Sequence, residues 1–410
     1  MEALHRHFLY ILKSALLGNQ ISELDPLTDK DWKELSALAV QHKVLPMVYD
    51  AVCGLPQLQG TPFLDVLKKT IRQQVVLQAQ KNHGFLTLYR ALQEAGVTPL
   101  VIKGIICRNL YPKPDYRISA DEDLLILPDQ FPICHQILTR QGMQTTATPE
   151  QLENDYEIPY RGTTRPLYIE LHRSLFSPEA EAYGHWNGFF TDVFDRMATE
   201  QIDGVAVGTL APTDHLFYLI AHALKHFLHS GFGIRQICDI IMYANHHGST
   251  VDWGRLLEQC NLIHAERFAA AIFEIGRAYL VFDPDNACYP HAWRKIQVSA
   301  EPLLEDILSG GIYGSATKSR QHSSNITLNA VAAEQGNRKA GNPLLVSLFP
   351  PKSDMCGRYP WLKKDPWLLP LAWADRILRY RRETGSGDTA EPLKIGNTRI
   401  ELLREYGIIR

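Results

Sequence analysis

The sequence predicts an α+β protein, with a mixed β-sheet core between helical N- and C-terminal regions. Apolar residues recur at helical spacing over the first part of the chain and again after Pro212, whereas short apolar runs alternate with short helical patterns in between. The 410 residues are enough for two or three domains. The predicted division is a helical region at 1–95, the sheet core at 96–210 and a C-terminal helical domain at 211–410.

The N-terminal region carries three helical signals. Residues 4–16 place leucine and phenylalanine on one helix face, and Thr28 is a capping residue for a second helix. Residues 66–94 form a long pattern without strong breakers, and Gly96 follows it as a C-cap. We therefore expect a long helix to lead into the core.

The core begins where the hydrophobic period changes after Val97. Residues 98–102 predict a buried strand, and Lys103-Gly104 predicts a turn into a short helix that ends near residues 111–112. The further elements expected are strands at 123–127 and 168–172, an amphipathic helix at 131–142 and an edge segment at 144–148.

The C-terminal region is predicted to be mainly helical. The expected helices are 212–229, capped by Thr213 or Asp214, and then 235–246, 253–260, 264–280 and 365–382. The last of these combines arginines with tryptophans, which suits either a packed amphipathic helix or contact with nucleic acid or an anionic partner. Residues 310–338 predict an exposed loop or a poorly ordered segment, and residues 385–392 a flexible link.

Composition narrows the classes of function. The formal net charge of −3 argues against broad nonspecific nucleic-acid binding, which needs a strong basic field. Seven dispersed cysteines without a CxxC pair predict reduced thiols. No signal peptide or apolar run of membrane-spanning length is found, so we expect a cytoplasmic protein without membrane contact.

Three acidic residues are the strongest candidates for chemistry. Asp121 and Asp123 are two residues apart before an apolar run, so in a strand they would share a face while Glu122 points away. Glu170 lies in another apolar strand. Such carboxylates can hold hard cations, although paired acids are also common as solvated turn residues. An unpaired Glu122 would be costly to bury, so it must be exposed, paired or near a metal.

The motifs together resemble the bacterial uncharacterised nucleotidyltransferase family of the polymerase-beta-like superfamily. The resemblance rests on residues 100–104, 111–112, 117, 121–126 and 169–172, and continues in residues 222–226, 235–239, 349–351, 358–359 and 368–371. It spans about residues 30–385. Three features depart from the superfamily pattern: Ile105 replaces the usual serine after Gly104, the gap to Asp121 is longer, and Glu122 replaces an apolar residue.

The resemblance implies roles for the matching positions. Asp121, Asp123 and Glu170 would be catalytic metal ligands for Mg2+ or Mn2+, with two ions expected, and Glu170 could instead act as the general base. The residues implied for nucleotide binding are Lys103, Gly104, Arg117, Lys225 and His226. Those implied for substrate contact or for support around the site are Glu122, His172, His222, Arg235 and Asp239.

Several of these residues have structural alternatives. Arg117 could form a structural salt bridge, and Arg235 and Asp239 are spaced as a helical ion pair. His222 and His226, one helical turn apart, could chelate zinc, but the sequence offers no third ligand. His172 could be purely structural.

The resemblance implies Mg2+- or Mn2+-dependent transfer of a nucleoside monophosphate from an NTP, with release of pyrophosphate. The acceptor is left open among a small molecule, a protein and tRNA, and the sequence does not give the oligomeric state. A toxin-like enzyme that modifies tRNA and an inactive nucleotide-binding module are the alternatives.

Overall fold

A seven-stranded mixed sheet forms the centre of the computed structural model, which describes residues 1–310, 318–336, 349–356, 358–384 and 391–410. The strands are β1 Leu100–Ile102, β2 Glu122–Leu125, β3 Met143–Gln144, β4 Glu157–Gly162, β5 Tyr168–His172, β6 Ala198–Ile202 and β7 Val205–Thr209. Their order is β3-β4-β5-β2-β1-β7-β6. Helices precede and follow the sheet in sequence, so the predicted α+β class is confirmed.

Helices account for most of the remaining described chain. Before and within the sheet region they are α1 Ala3–Leu16, α2 Asp29–Gln41, α3 Leu45–Val52, α4 Pro62–Glu94, α5 Gly104–Arg108, α6 Phe131–Arg140 and α7 Pro149–Asn154. After it come α8 Pro212–His229, α9 Ile234–His247, α10 Trp253–Leu262, α11 Glu266–Tyr279, α12 His291–Arg294, α13 Glu301–Gly310, α14 Lys318–Gln335, α15 Lys352–Met355, α16 Leu369–Thr384 and α17 Glu391–Glu405.

The two central strands are buried on both faces. β1 and β2 pair antiparallel, and every residue of both is buried. β2 also pairs in parallel with β5, while β1 pairs in parallel with β7. Polar side chains on β2 must therefore find partners inside the protein, because burial removes them from bulk solvent.

Local sequence signals explain the helices that frame the sheet. Thr28 and Asp31 form a reciprocal capping box at the start of α2. Gly84 does not interrupt α4, which runs for 33 residues and ends before Gly96 at a φ of +80°. α8 is buried along most of its length and packs on α9, α10 and α14. One apolar core extends from α1 to the C-terminal residues.

Several sequence predictions need correction. Residues 318–335 form α14, with buried Ile326, Ala330 and Val331, where an exposed loop was expected. The apolar residues are scattered among polar ones, so this helix lacks a strong amphipathic pattern. Neither Thr213 nor Asp214 caps α8, which has no side-chain hydrogen bond at its N-cap. Residues 311–317 and 337–338 of the expected loop or poorly ordered segment, and residues 385–390 of the expected link, lie outside the described part of the chain.

Strands β4, β6 and β7 were not predicted, and β3 is shorter than the expected edge segment. β6 and β7 form a hairpin that turns at Asp203-Gly204, where both residues have positive φ. The C-terminal amphipathic helix begins at Leu369, after two short 3-10 turns.

All seven cysteines are free. In the described part of the chain, we find no helix with the length and apolar character needed to cross a bilayer.

Candidate functional site

Strand register brings Asp123 and Glu170 side by side. β2 and β5 run parallel with Asp123 opposite Glu170, and His172 follows on the same face of β5. His172 Nε2 lies 3.2 Å from Asp123 Oδ1 and 3.8 Å from Glu170 Oε2. One ligand atom from each of the three residues lies within 4.8 Å of the others. We call Asp123, Glu170 and His172 the acidic centre.

The acidic centre fits a divalent cation. Two carboxylates and one imidazole are a donor set that Mn2+ and similar ions accept, whereas Mg2+ prefers oxygen alone. His172 Nδ1 is buried without a hydrogen-bond partner and lies 3.8 Å from Glu157 Oε2. A carboxylate behind a ligating histidine is a common means of orienting the ring.

The two carboxylates of the acidic centre have pKa values shifted in opposite directions. Burial and the charges of Asp123, Glu157 and Asp121 raise the pKa of Glu170 to about 9. Burial also acts to raise the pKa of Asp123, but Lys103 and His172 outweigh it and hold that pKa below its ordinary value. Without a bound cation, Asp123 is therefore ionised at neutral pH and Glu170 is protonated.

Lys103 lies against Asp123. Its Nζ is 3.0 Å from Asp123 Oδ2 and 3.1 Å from His222 Nε2, and only 19% of its side chain is exposed. The residue follows β1 with a φ of +74°, a left-handed conformation that is unusual for a lysine. Its backbone N–H donates to His215 Nε2 at 3.4 Å. The turn therefore directs the ammonium group into the acidic centre.

Glu122 points away from the acidic centre, to the start of α5. Glu122 Oε2 accepts a hydrogen bond of 2.7 Å from the Ile105 N–H, and Oε1 accepts one of 3.2 Å from Ser119 Oγ. Arg108 Nη1 lies 3.5 Å from the same Oε1. Glu122 is thus buried and paired, which resolves the choice left open by the sequence. A Cβ on Gly104 would overlap Glu122 Oε2, so this carboxylate requires glycine there.

Arg117 is held by a buried acid. Its Nε and Nη2 donate to the two carboxylate oxygens of Asp239 at 2.6 and 2.7 Å, and its Nη1 donates to the Gly104 carbonyl at 3.1 Å. Tyr111 also donates to Asp239, at 2.7 Å. Arg235 lies farther off, 4.0 Å from Asp239 Oδ2. These contacts favour the structural alternative for Arg117, in which it ties the Gly104 turn to α9.

α8 presents polar side chains to the acidic centre. His226 Nε2 lies 3.1 Å from His222 Nε2, which also faces Lys103. Burial and the Lys103 charge lower the pKa of His222, so it stays neutral. Burial likewise lowers the pKa of Lys225, although the carboxylate of Glu157 opposes this change. No carboxylate of the described residues lies within ion-pair distance of Lys225.

Asp121 stands just outside the acidic centre. It precedes β2, is half-buried, and its negative charge acts on Lys103, Glu170, Lys43 and Lys81. Its carboxylate does not belong to the group of closely spaced ligand atoms formed by the other three. Of the two aspartates expected to bind metal, Asp123 therefore lies in the acidic centre and Asp121 lies at its rim.

Two lysines that the sequence did not single out lie near Asp121. Lys81 on α4 donates to the Ser119 carbonyl at 3.0 Å, two residues before Asp121. Lys43 follows α2, and its neighbour His42 accepts the Ile234 N–H at 3.2 Å, which brings Lys43 towards Arg235. We call Lys43, Lys81 and Arg235 the basic cluster.

Repulsion within the basic cluster acts on Lys43. Burial lowers the pKa of Lys43, Arg235 and Lys81 lower it further, and Asp121 opposes them. The cluster comes from three separate elements, so no sequence spacing pointed to it. The only hint was the polar run that contains Gln78 and Lys81 within α4.

A known protein family matches the part of the chain that bears the site. The model of the family described as "Uncharacterised nucleotidyltransferase" matches residues 28–280, which is more than half of the chain and includes the sheet, the acidic centre and α8. No curated protein matches.

A crystal structure of an antigenic nucleotidyltransferase-like protein from Paracoccidioides brasiliensis is 16% identical, and the match covers 51% of this chain and 95% of that one. Its TM-score of 0.30 is too low to add to the fold described above. The family match covers every element that bears the site, and by it the chain belongs to the uncharacterised nucleotidyltransferase family.

Proposed function

We propose that the protein transfers a nucleoside monophosphate from an NTP to an acceptor, with release of pyrophosphate. The observation that carries this proposal is the acidic centre, where Asp123, Glu170 and His172 converge beside the ammonium group of Lys103. Membership in a nucleotidyltransferase family supports the reaction class. The acceptor and the preferred base are not identified by either observation.

Asp123, Glu170 and His172 would hold the divalent cation, with Asp121 at the rim as a further ligand. When bound, the cation would neutralise the charge that develops on the phosphate oxygens during transfer. Because the donor set contains an imidazole, we expect Mn2+ to bind more tightly than Mg2+.

In its alternative role, Glu170 would take the proton from an acceptor hydroxyl instead of holding the cation. Its raised pKa means that the metal-free side chain carries its own proton at neutral pH, so only its ionised fraction would act as the base. Its side chain is 22% exposed, whereas that of Asp123 is 3% exposed, so Glu170 is the more accessible to an incoming acceptor.

The basic cluster and Lys225 are the candidates for binding the triphosphate. Cations brought together in partly buried surroundings repel one another, and an anionic ligand relieves that repulsion. Asp121 is the acid whose charge acts on both lysines of the cluster, and it is itself a candidate metal ligand. A triphosphate across the site would meet cations from both helical regions.

Transfer can be tested by incubating the full chain with each α-labelled NTP, Mn2+ or Mg2+, and a cell extract. We expect a labelled product that disappears in Asp123→Asn and persists in Asp129→Asn, an exposed aspartate six residues later. Labelling that survives in Asp123→Asn would contradict the proposal. Label in tRNA would identify the toxin-like alternative, and NTP binding without a labelled product would identify the inactive module.

The triphosphate site can be tested separately by measuring binding of a non-hydrolysable ATP analogue. Lys43→Ala and Lys81→Ala should each weaken binding about fivefold to thirtyfold, in line with the loss of one charged contact of about 1–2 kcal/mol. Lys33→Ala removes a lysine from α2, outside the cluster, and is the matched control. Equal affinities in all three variants would exclude the cluster from nucleotide binding.

A further inference from the structure

The two oxygens of Asp123 have different neighbours. Oδ1 faces His172, and through it the position where the acidic centre would hold a cation. Oδ2 accepts the hydrogen bond from Lys103 Nζ at 3.0 Å. In a two-ion phosphoryl-transfer site, a shared carboxylate gives one oxygen to each ion. Here, the second oxygen already has a cationic partner.

Lys103 is fixed in this position by its surroundings. Its backbone lies in the left-handed region and is bonded to His215, so the start of the side chain cannot swing freely. Its Nζ also donates to His222 and lies 5.9 Å from the centre of the Tyr218 ring. Moving the ammonium elsewhere would break these contacts, and a buried cation without its partner is strongly destabilising.

A divalent ion beside Lys103 would also meet unfavourable charges. Lys225 on α8 is a second cationic side chain, close enough to Lys103 for the two charges to repel each other. A further ion on Asp123 Oδ2 would have to displace the lysine or share a small volume with it. Both alternatives oppose binding of a second ion.

We propose that the site holds a single divalent ion and that Lys103 permanently takes the place of the second one. The ion binds on the Oδ1 side of Asp123, with Glu170 and His172, while Lys103 supplies the positive charge on the Oδ2 side. This inference rests on the proposed function and replaces the expectation of two ions with one ion and one lysine. It also explains why a lysine stands at a turn where its backbone conformation is strained.

The number of bound ions tests the inference without an activity assay. Mn2+ would be titrated into the full chain by calorimetry, and its electron paramagnetic resonance spectrum recorded with and without an α,β-methylene ATP analogue. The wild type should bind one Mn2+ without the analogue and show no exchange-coupled Mn2+ pair in either state. Lys103→Met should bind a second ion and give a coupled pair, while Lys33→Met, which removes an exposed lysine of α2 outside the site, should behave like the wild type.

The outcomes separate this inference from the proposed function. Two coupled ions in the wild type would overturn the role of Lys103 and leave the metal-dependent reaction intact. A single ion in Lys103→Met would also overturn it, provided that the variant keeps the wild-type circular dichroism spectrum. If Lys103→Met does not fold, the wild-type count and spectrum decide alone. No bound Mn2+ in the wild type would refute the metal centre and this inference together.

Discussion

Replacing Gly104 with alanine should unfold the turn that leads into the site, because the Glu122 carboxylate fills the space that a side chain needs. The new Cβ would overlap Glu122 Oε2 and stand 2.7 Å from its Cδ. The side chain of Glu122 is 4% exposed, so the carboxylate cannot move aside into solvent without leaving its partners. It would lose the Ile105 N–H and Arg108.

The expected cost has two parts. An alanine at the Gly104 φ of +34° is strained, at about 1–2 kcal/mol. Displacing Glu122 leaves Arg108 buried without its partner, at about 3–5 kcal/mol. Gly104→Ala should therefore lower the free energy of unfolding by about 4–7 kcal/mol, and Glu122→Ala alone by about 3–5 kcal/mol. In the Glu122→Ala background the clash is gone, so Gly104→Ala should cost only the strain.

The assay is a double-mutant cycle on these two positions, with unfolding in urea followed by tryptophan fluorescence. The double variant should be more stable than the sum of the single effects predicts by about 3–5 kcal/mol. Gly60→Ala is the control, since Gly60 also has positive φ, but a Cβ there would meet no neighbouring atom within 4 Å. Additive costs at Gly104 and Glu122, within about 0.5 kcal/mol, would refute the steric argument.

Three further outcomes follow from the described contacts. Because Glu170 keeps its proton below pH 9 without metal, Mn2+ affinity should rise up to about tenfold per pH unit between pH 7 and 9, and calorimetry should find this slope lost in Glu170→Gln. Asp239→Asn should lower stability by about 3–5 kcal/mol in thermal unfolding, since it breaks the buried pair with Arg117; unchanged stability would show that the pair is not structural. Thr28→Ala should cost about 1 kcal/mol through its cap, and a circular dichroism melt that matches the wild type would contradict this.

The sequence was sufficient for the elements whose patterns are local. The helices α1, α4 and α8 and the strand β5 follow the spacing of their apolar residues, and they lie close to where they were expected. The hairpin of β6 and β7 was missed because its residues alternate weakly. The sequence did not predict α14, because its few apolar residues are scattered through a polar segment. Packing against the rest of the protein, rather than a local pattern, therefore determines that this segment is helical.

The sequence predicted only those parts of the site that lie on neighbouring strands. The pairing of Asp123 with Glu170 follows from two apolar strands that each carry one acid. The partner of Asp239 could not be read from the sequence, because Arg117 is 122 residues away and the helical spacing suggested Arg235 instead. Glu122 looked anomalous beside the aspartates because its partners, Ile105 and Arg108, lie on another element.

The contacts of α4 indicate which fragments of this protein can be expected to fold. Gln78 accepts the Ser119 N–H at 2.9 Å, Lys81 donates to the Ser119 carbonyl, and Asn82 donates to Asp115 at 2.5 Å. One helix of the N-terminal region thus holds the segment that leads into β2. A fragment cut at residue 96 would lose this support along with both lysines of the basic cluster. We therefore expect the sheet not to fold as a separate domain without α4, and a fusion protein that contains the sheet would have to include this helix.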